Sequence, residues 1–317
     1  MMEKIFLLPL FLFLFVIPGL SQVQLTQYFL DETLYNPAFA GANDAICAGS
    51  YLRNQWMGLT DANGNKVAPL SGVFNFHAPV YSLNGGMGMN VVYDKAGFEQ
   101  NLGVKFNYAY HVPFKDDNNL LSIGIGVSVL SKTIDFSRLT PEQPNDPLFK
   151  SAKKESGIIP DLDFGIQYQL YKKVYAGISA VNLMESSANI GSVRYAQKRN
   201  FYLMGGFYAK LIDERNSLLY LIPSFLVKSN LINVQADINT RVDYNNRYWG
   251  GVSWRYQDAL AVMAGVNLNG FRIGASYDLT TSYLSRSSNG SVEFFVGYCH
   301  PIGPKMKKRC NFNTRYL

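Results

Sequence analysis

The feature that most constrains this chain is a period of two in polarity that recurs along most of its length. In Asp161-Leu162-Asp163-Phe164-Gly165-Ile166-Gln167-Tyr168-Gln169-Leu170 every second residue is apolar and the others are polar or Gly. The stretches 105–111, 234–243 and 272–278 repeat the pattern. A period of two sorts side chains onto the two faces of a strand, whereas a helix would scatter them around its circumference. The alternating runs predict strands over, among others, 45–57, 160–171, 173–183, 199–211 and 289–300. Their total is about fourteen, and most have the ~10 residues that a tilted strand needs to cross a bilayer.

Composition separates a membrane barrel from a soluble sandwich. Hydrophobic residues make up 48% of the chain and charged ones only 16%, against roughly 25% charged in soluble proteins. Yet beyond residue 22 no run is long and apolar enough for a spanning helix. An apolar chain without apolar helices fits strands with one face in lipid. In lipid a sheet must close on itself, because every backbone polar group needs a partner. Tyr248, Val252, Trp254 and Tyr256 share an outward face, as do Phe271, Ile273, Ala275 and Tyr277. The opposite face carries Lys105, Asp161, Asp163, Asp237, Arg241, Arg255, Arg272, Asp278 and Glu293. Charges of both signs predict a packed lumen rather than an open pore. The fold expected is all-β: a transmembrane antiparallel β-barrel of about 14 strands with an N-terminal plug or lid.

The ends of the chain set its compartment. Lys4 precedes an apolar run over 5–17, and Pro18, Gly19 and Ser21 follow. That is the layout of a secretory signal peptide over 1–21, and the run is too short for an anchor. No Cys follows the break, which argues against a lipoprotein. The expected divisions are the signal peptide, a plug or periplasmic segment over 22–44, a barrel over 45–300 and a basic periplasmic tail over 301–317. Export argues against nucleic acid as a partner despite a net charge of +6. Three cysteines exclude a fully paired framework. Cys299 and Cys310 are near enough in sequence to pair in an oxidising compartment, with free thiols an equal alternative.

Catalytic signals are weak. Gly85-Gly86-Met87-Gly88 lies in a strand with no helix after it, so a phosphate-loop reading fails. Asp161 and Asp163 share a face and are read as lumenal charge rather than an acid–base pair. His77, His111 and His300 lack zinc spacing. No cofactor, metal or enzymatic activity is expected.

The segment Asn36-Pro37-Ala38-Phe39-Ala40-Gly41, followed by Arg53-Asn54-Gln55-Trp56, resembles the opening of the PorP/SprF family. The resemblance continues through Asp94-Lys95-Ala96-Gly97, Pro144-Asn145-Asp146-Pro147 and the closing Arg315-Tyr316-Leu317. Asp31-Glu32 departs from the family pattern. The resemblance implies an outer-membrane protein of Bacteroidetes acting in type IX secretion and gliding. It also implies a partner: a surface adhesin that the barrel helps to secrete or anchor, and periplasmic machinery proteins. The longest outer connection, 135–159, is expected to touch the exported partner. The alternative is a transporter for small hydrophobic molecules, which would need an apolar tunnel.

Overall fold

The computed structural model describes residues 23–61, 64–112, 114, 119–138, 153–214 and 217–302. The expected signal peptide, the middle of the 135–159 connection and the basic tail with Cys310 lie outside the described residues.

Among the described residues seventeen strands form. They are β1 (Ala45–Asn54), β2 (Leu70–Val80), β3 (Gly85–Ala96), β4 (Glu99–Val112), β5 (Asn119–Asp135), β6 (Lys154–Leu170) and β7 (Val174–Val181). Next come β8 (Ser187–Ile190), β9 (Val193–Ala196), β10 (Asn200–Phe207), β11 (Ala209–Glu214), β12 (Ser217–Ser229) and β13 (Val234–Tyr244). The last are β14 (Tyr248–Arg255), β15 (Ala259–Leu268), β16 (Phe271–Thr280) and β17 (Ser291–Pro301). Fifteen of them make one antiparallel sheet, and β8 and β9 make a separate hairpin. β10 and β11 are two halves of one crossing, because β12 pairs with both, so the wall has the fourteen crossings expected. It closes where β1 pairs with β17 from Ala45↔Pro301 to Asn54↔Val292.

The faces are inverted relative to a soluble protein. Phe106 is 59% exposed on the outside, while its neighbour Lys105 is 9% exposed on the inside. Phe74, Ile125, Ile178, Val262 and Phe294 face outward, and Asn75, Asn107, Gln167 and Asn239 are buried inside. Water would penalise that arrangement, and lipid favours it. Tyr110, Tyr171, Tyr248 and Tyr298 ring one end, and Tyr93, Trp254, Tyr256 and Tyr277 ring the other. Aromatic girdles of this kind mark the two membrane–water boundaries.

Both barrel ends of the chain, Ala45 and Pro301, lie at the end that carries the tight turns 81–84, 171–173, 245–247 and 269–270. In outer-membrane barrels that end faces the periplasm. At the other end three connections are short, 97–98, 230–233 and 256–258, where longer loops prevail in the family of such barrels.

Three details depart from the sequence expectation. The crossing expected over 199–211 is divided at Tyr208, while its pairing with β12 keeps one register across the division (Gly206↔Ser224, Ala209↔Leu221) and bulges between Lys210 and Ile212. β6 begins at Lys154, not near residue 160, and takes residues from the expected loop. The connection after β7 contains the β8–β9 hairpin, whose Ile190 packs with Ile134 and Phe136 from β5 and its extension.

Candidate functional site: a filled lumen

The residues before β1 run through the barrel interior. Three short 3-10 turns, Tyr28–Leu30, Glu32–Leu34 and Pro37–Phe39, fold this segment compactly. Asn36 starts the last turn: its side-chain oxygen accepts from Ala38 N at 2.9 Å. Pro37 follows at the first position of the turn, where a missing N–H costs nothing. The same Asn36 amide donates to Ile166 O (3.1 Å) and Ile178 O (3.3 Å) on the wall. The approach is close enough to require glycine. A Cβ on Gly165 would stand 2.0 Å from Asn36 Oδ1, and one on Gly86 would stand 2.2 Å from Ala40 O. Gly86, a strand glycine in the stretch rejected above as a phosphate loop, thus makes room for the segment.

Aromatic and aliphatic side chains fill the remaining space. Tyr28, Tyr35 and Phe39 pack with Tyr175, Tyr202, Met204 and Leu226. On the other side Leu25 and Leu30 pack with Tyr51, Val73, Trp249, Met263 and Phe295.

The segment also docks by hydrogen bonds onto a buried ionic network of the wall. Arg53 reaches Asp278 at 2.7 Å and Glu293 at 3.1 Å. Arg255 reaches Asp237 at 3.1 Å and Asp278 at 3.3 Å. All five side chains are almost wholly buried. Three carboxylates against two guanidiniums leave an excess of negative charge, and the segment offsets it. Thr26 N and Gln27 N each donate to a different Glu293 oxygen at 2.9 Å. Thr26 Oγ1 donates to Asp278 at 2.8 Å and accepts from Arg53 at 3.0 Å. A buried ion pair is stabilising only if its remaining donors and acceptors are met; the segment meets those of both carboxylates, while Arg53 Nε is left without a partner among the described residues.

The other lumenal charges divide by partner. Lys105 pairs with Asp163 (3.1 Å) and donates to Leu34 O. Arg272 donates to Leu30 O at 2.8 Å, and the Arg241 guanidinium lies 4.1 Å from the Phe29 ring centre. Asp161 is held by backbone amides. It accepts from Leu162 N (2.8 Å) and Met184 N (2.9 Å), and so holds the loop that leaves β7.

The motif 53–56 is split by the strand. Arg53 and Gln55 are buried, Asn54 faces outward, and Trp56 turns the chain with φ +51°. Sequence reasoning placed Arg53 in a family motif but not in the charge network, and it missed Thr26. Both join carboxylates from β16 and β17, a juxtaposition that only closure of the barrel produces.

The cysteine expectation is corrected. Cys47 and Cys299 form the disulfide, as direct partners across the β1–β17 seam with Cα atoms 4.1 Å apart. Cys299 is therefore not available to Cys310.

Two cavities flank the segment. One of about 260 Å³ opens toward the outer end, between Leu34 and Tyr35 of the segment and Val104, Val129, Leu130 and Tyr202 of the wall. The other, about 210 Å³ and polar, lies at the termini end beside Glu32, Arg241, Asp243, Asn267 and Arg272. Among the described residues no cluster of His, Cys, Asp or Glu is arranged to hold a metal.

Solved barrels share this fold. The Pseudomonas putida toluene transporter TodX matches 85% of this chain over 93% of its own, at 10% identity and TM-score 0.50. The CymD monoaromatic hydrocarbon channel matches 85% over 92%, at 9% identity and TM-score 0.50. Likeness at such identity speaks for the fold alone. No curated protein matches significantly. The model of the family described as type IX secretion system membrane protein PorP/SprF matches residues 19–298.

Proposed function

The chain belongs to the PorP/SprF family of type IX secretion system membrane proteins, and on that premise we propose that it helps to secrete, or holds at the cell surface, a partner adhesin. It is an outer-membrane component of the secretion system. The observation that carries the finer reading is the filled lumen. Segment 23–41 is tied to the wall by the Arg53–Asp278–Glu293 network and acts as a plug, so the barrel works as a scaffold with partners on its rim and loops. Periplasmic machinery proteins are partners at the termini end.

The alternative is a transporter for small hydrophobic molecules. Its support is the outer cavity and the shared fold with TodX, a toluene transporter, and CymD, a hydrocarbon channel. Against it stand the buried charges, since an apolar solute crossing the lumen would have to displace a buried ionic network.

The test is affinity purification of the tagged barrel from detergent-solubilised outer membranes, with mass spectrometry of what accompanies it. Recovery of a large secreted protein supports the scaffold. A barrel recovered alone with bound lipid moves the reading to transport.

A further inference from the structure

β6 is 17 residues long, whereas about 10 suffice to cross a bilayer. Counted from its turn at Leu170, the crossing is complete near Pro160, and the preceding residues stand above the outer surface. There β6 pairs with β5 on one side, from Asp135↔Lys154 onward. On the other side β7 pairs only from Phe164 to Leu170. Among the described residues no strand pairs with the remaining edge.

The backbone groups on that edge can be assigned. In a strand, the N–H and C=O of one residue point to one side and those of the next residue to the other. Leu162 O accepts from Leu183 N at 2.8 Å, so even-numbered residues face the β7 side. Lys153 O accepts from Phe136 N at 3.2 Å, so odd-numbered residues face β5. The edge beyond Leu162 therefore presents Pro160 C=O and both backbone groups of Ile158 and Ser156. Asp161 ends the β6–β7 pairing, because its carboxylate takes the amides of Leu162 and Met184. The β8–β9 hairpin covers the inner face of this ribbon, with Ile190 beside the Gly157 position, and among the described residues its edge is unpaired. Ile158 is 69% exposed. A bare strand edge in water is a template for another extended chain.

We propose that the outer edge of β6, Ser156–Pro160, binds an extended acidic segment of the secreted partner as an added strand. Two observations fix this occupant. The free donors and acceptors match a strand and offer nothing to a compact ligand. The charged side chains on the surrounding elements are mostly basic: Arg138, Lys153, Lys154, Arg194, Lys198 and Arg199 outnumber Asp135, Glu155, Asp161 and Glu185, with Asp135 taken by Arg138 and Lys154 and Glu185 by Arg199. A second copy of this chain would bring the same cations against themselves. The proposal rests on the reading that the barrel serves a secreted partner.

The experiment uses cells and the cargo that co-purifies with the wild-type barrel, quantified at the cell surface. Ile158→Pro removes one N–H from the free edge and none from the β5 ladder. It is expected to lower surface cargo at least tenfold, with the barrel at wild-type level and heat-modifiable on gels. Ile158→Thr keeps the N–H and is expected to keep the cargo. Undiminished cargo with Ile158→Pro, or equal loss with Ile158→Thr, overturns the edge proposal. A barrel-to-barrel crosslink through Ser156→Cys overturns it as well. Should the proline variant not assemble, hydrogen exchange on the wild-type complex decides. Protection of the Ser156 and Ile158 amides by cargo supports the edge, and unchanged exchange overturns it. A gene deletion that leaves cargo on the surface defeats the underlying reading, whereas deletion that removes it isolates any failure to the edge.

Discussion

Arg53 ties three parts of the chain together. It joins β1 to carboxylates on β16 and β17 and to Thr26 of the interior segment. Arg53→Ala would leave Asp278 and Glu293 buried with too few positive partners. Loss of one member of a buried pair costs about 3–5 kcal/mol. Denaturant unfolding of the refolded barrel in detergent, followed by tryptophan fluorescence, is expected to show a loss of that size; an unchanged midpoint would mean that the network is not coupled to stability. Gly165 is a second sensitive residue. Gly165→Ala places a carbon on Asn36 Oδ1, and overpacking of this kind costs about 1–3 kcal/mol. The expected result is faster proteolysis within residues 23–41 with the barrel intact; equal rates would contradict the contact. The inward direction of the charged residues was legible from the period of two alone. Their partners were not, because Arg53, Asp278 and Glu293 lie far apart in sequence and meet only through closure.

At the scale of elements, the seam shows most clearly what register adds. Cys47 and Cys299 are separated by 252 positions, while Cys299 and Cys310 are near neighbours, so sequence distance favoured the wrong pair. Antiparallel pairing of the first and last strands sets Cys47 directly opposite Cys299. On the chain-entropy account a bond that closes so long a loop contributes about 5 kcal/mol. Non-reducing peptide mapping is expected to yield a Cys47–Cys299 linked peptide, retained in Cys310→Ser; a Cys299–Cys310 peptide would contradict the seam. The start of β6 was hidden for a different reason. Lys154-Glu155-Ser156-Gly157 is polar and reads as loop, since a ribbon in water has no lipid-facing side to impose alternation. The four-residue strands β8 and β9 are too short to show a period. The bulge between Lys210 and Ile212 is a mismatch with the partner strand β12, which no local pattern encodes.

For the whole molecule, the inversion of polarity was the most legible property. Lipid outside and a polar lumen inside impose the same alternation on almost every crossing, and the signal accumulates. Less legible was how the lumen is filled, because the segment 23–41 has no periodicity and shows its place only through the glycines and carboxylates that receive it. The proposed plug predicts no sustained open-channel current from the barrel in a planar lipid bilayer; large steady steps would contradict it. The central claim is that the barrel serves a secreted partner. Deletion of its gene, with surface proteins quantified by labelling of intact cells, tests this most directly. The account predicts that one large secreted protein disappears from the surface and returns on complementation. An unchanged surface with slowed uptake of small hydrophobic molecules would contradict it.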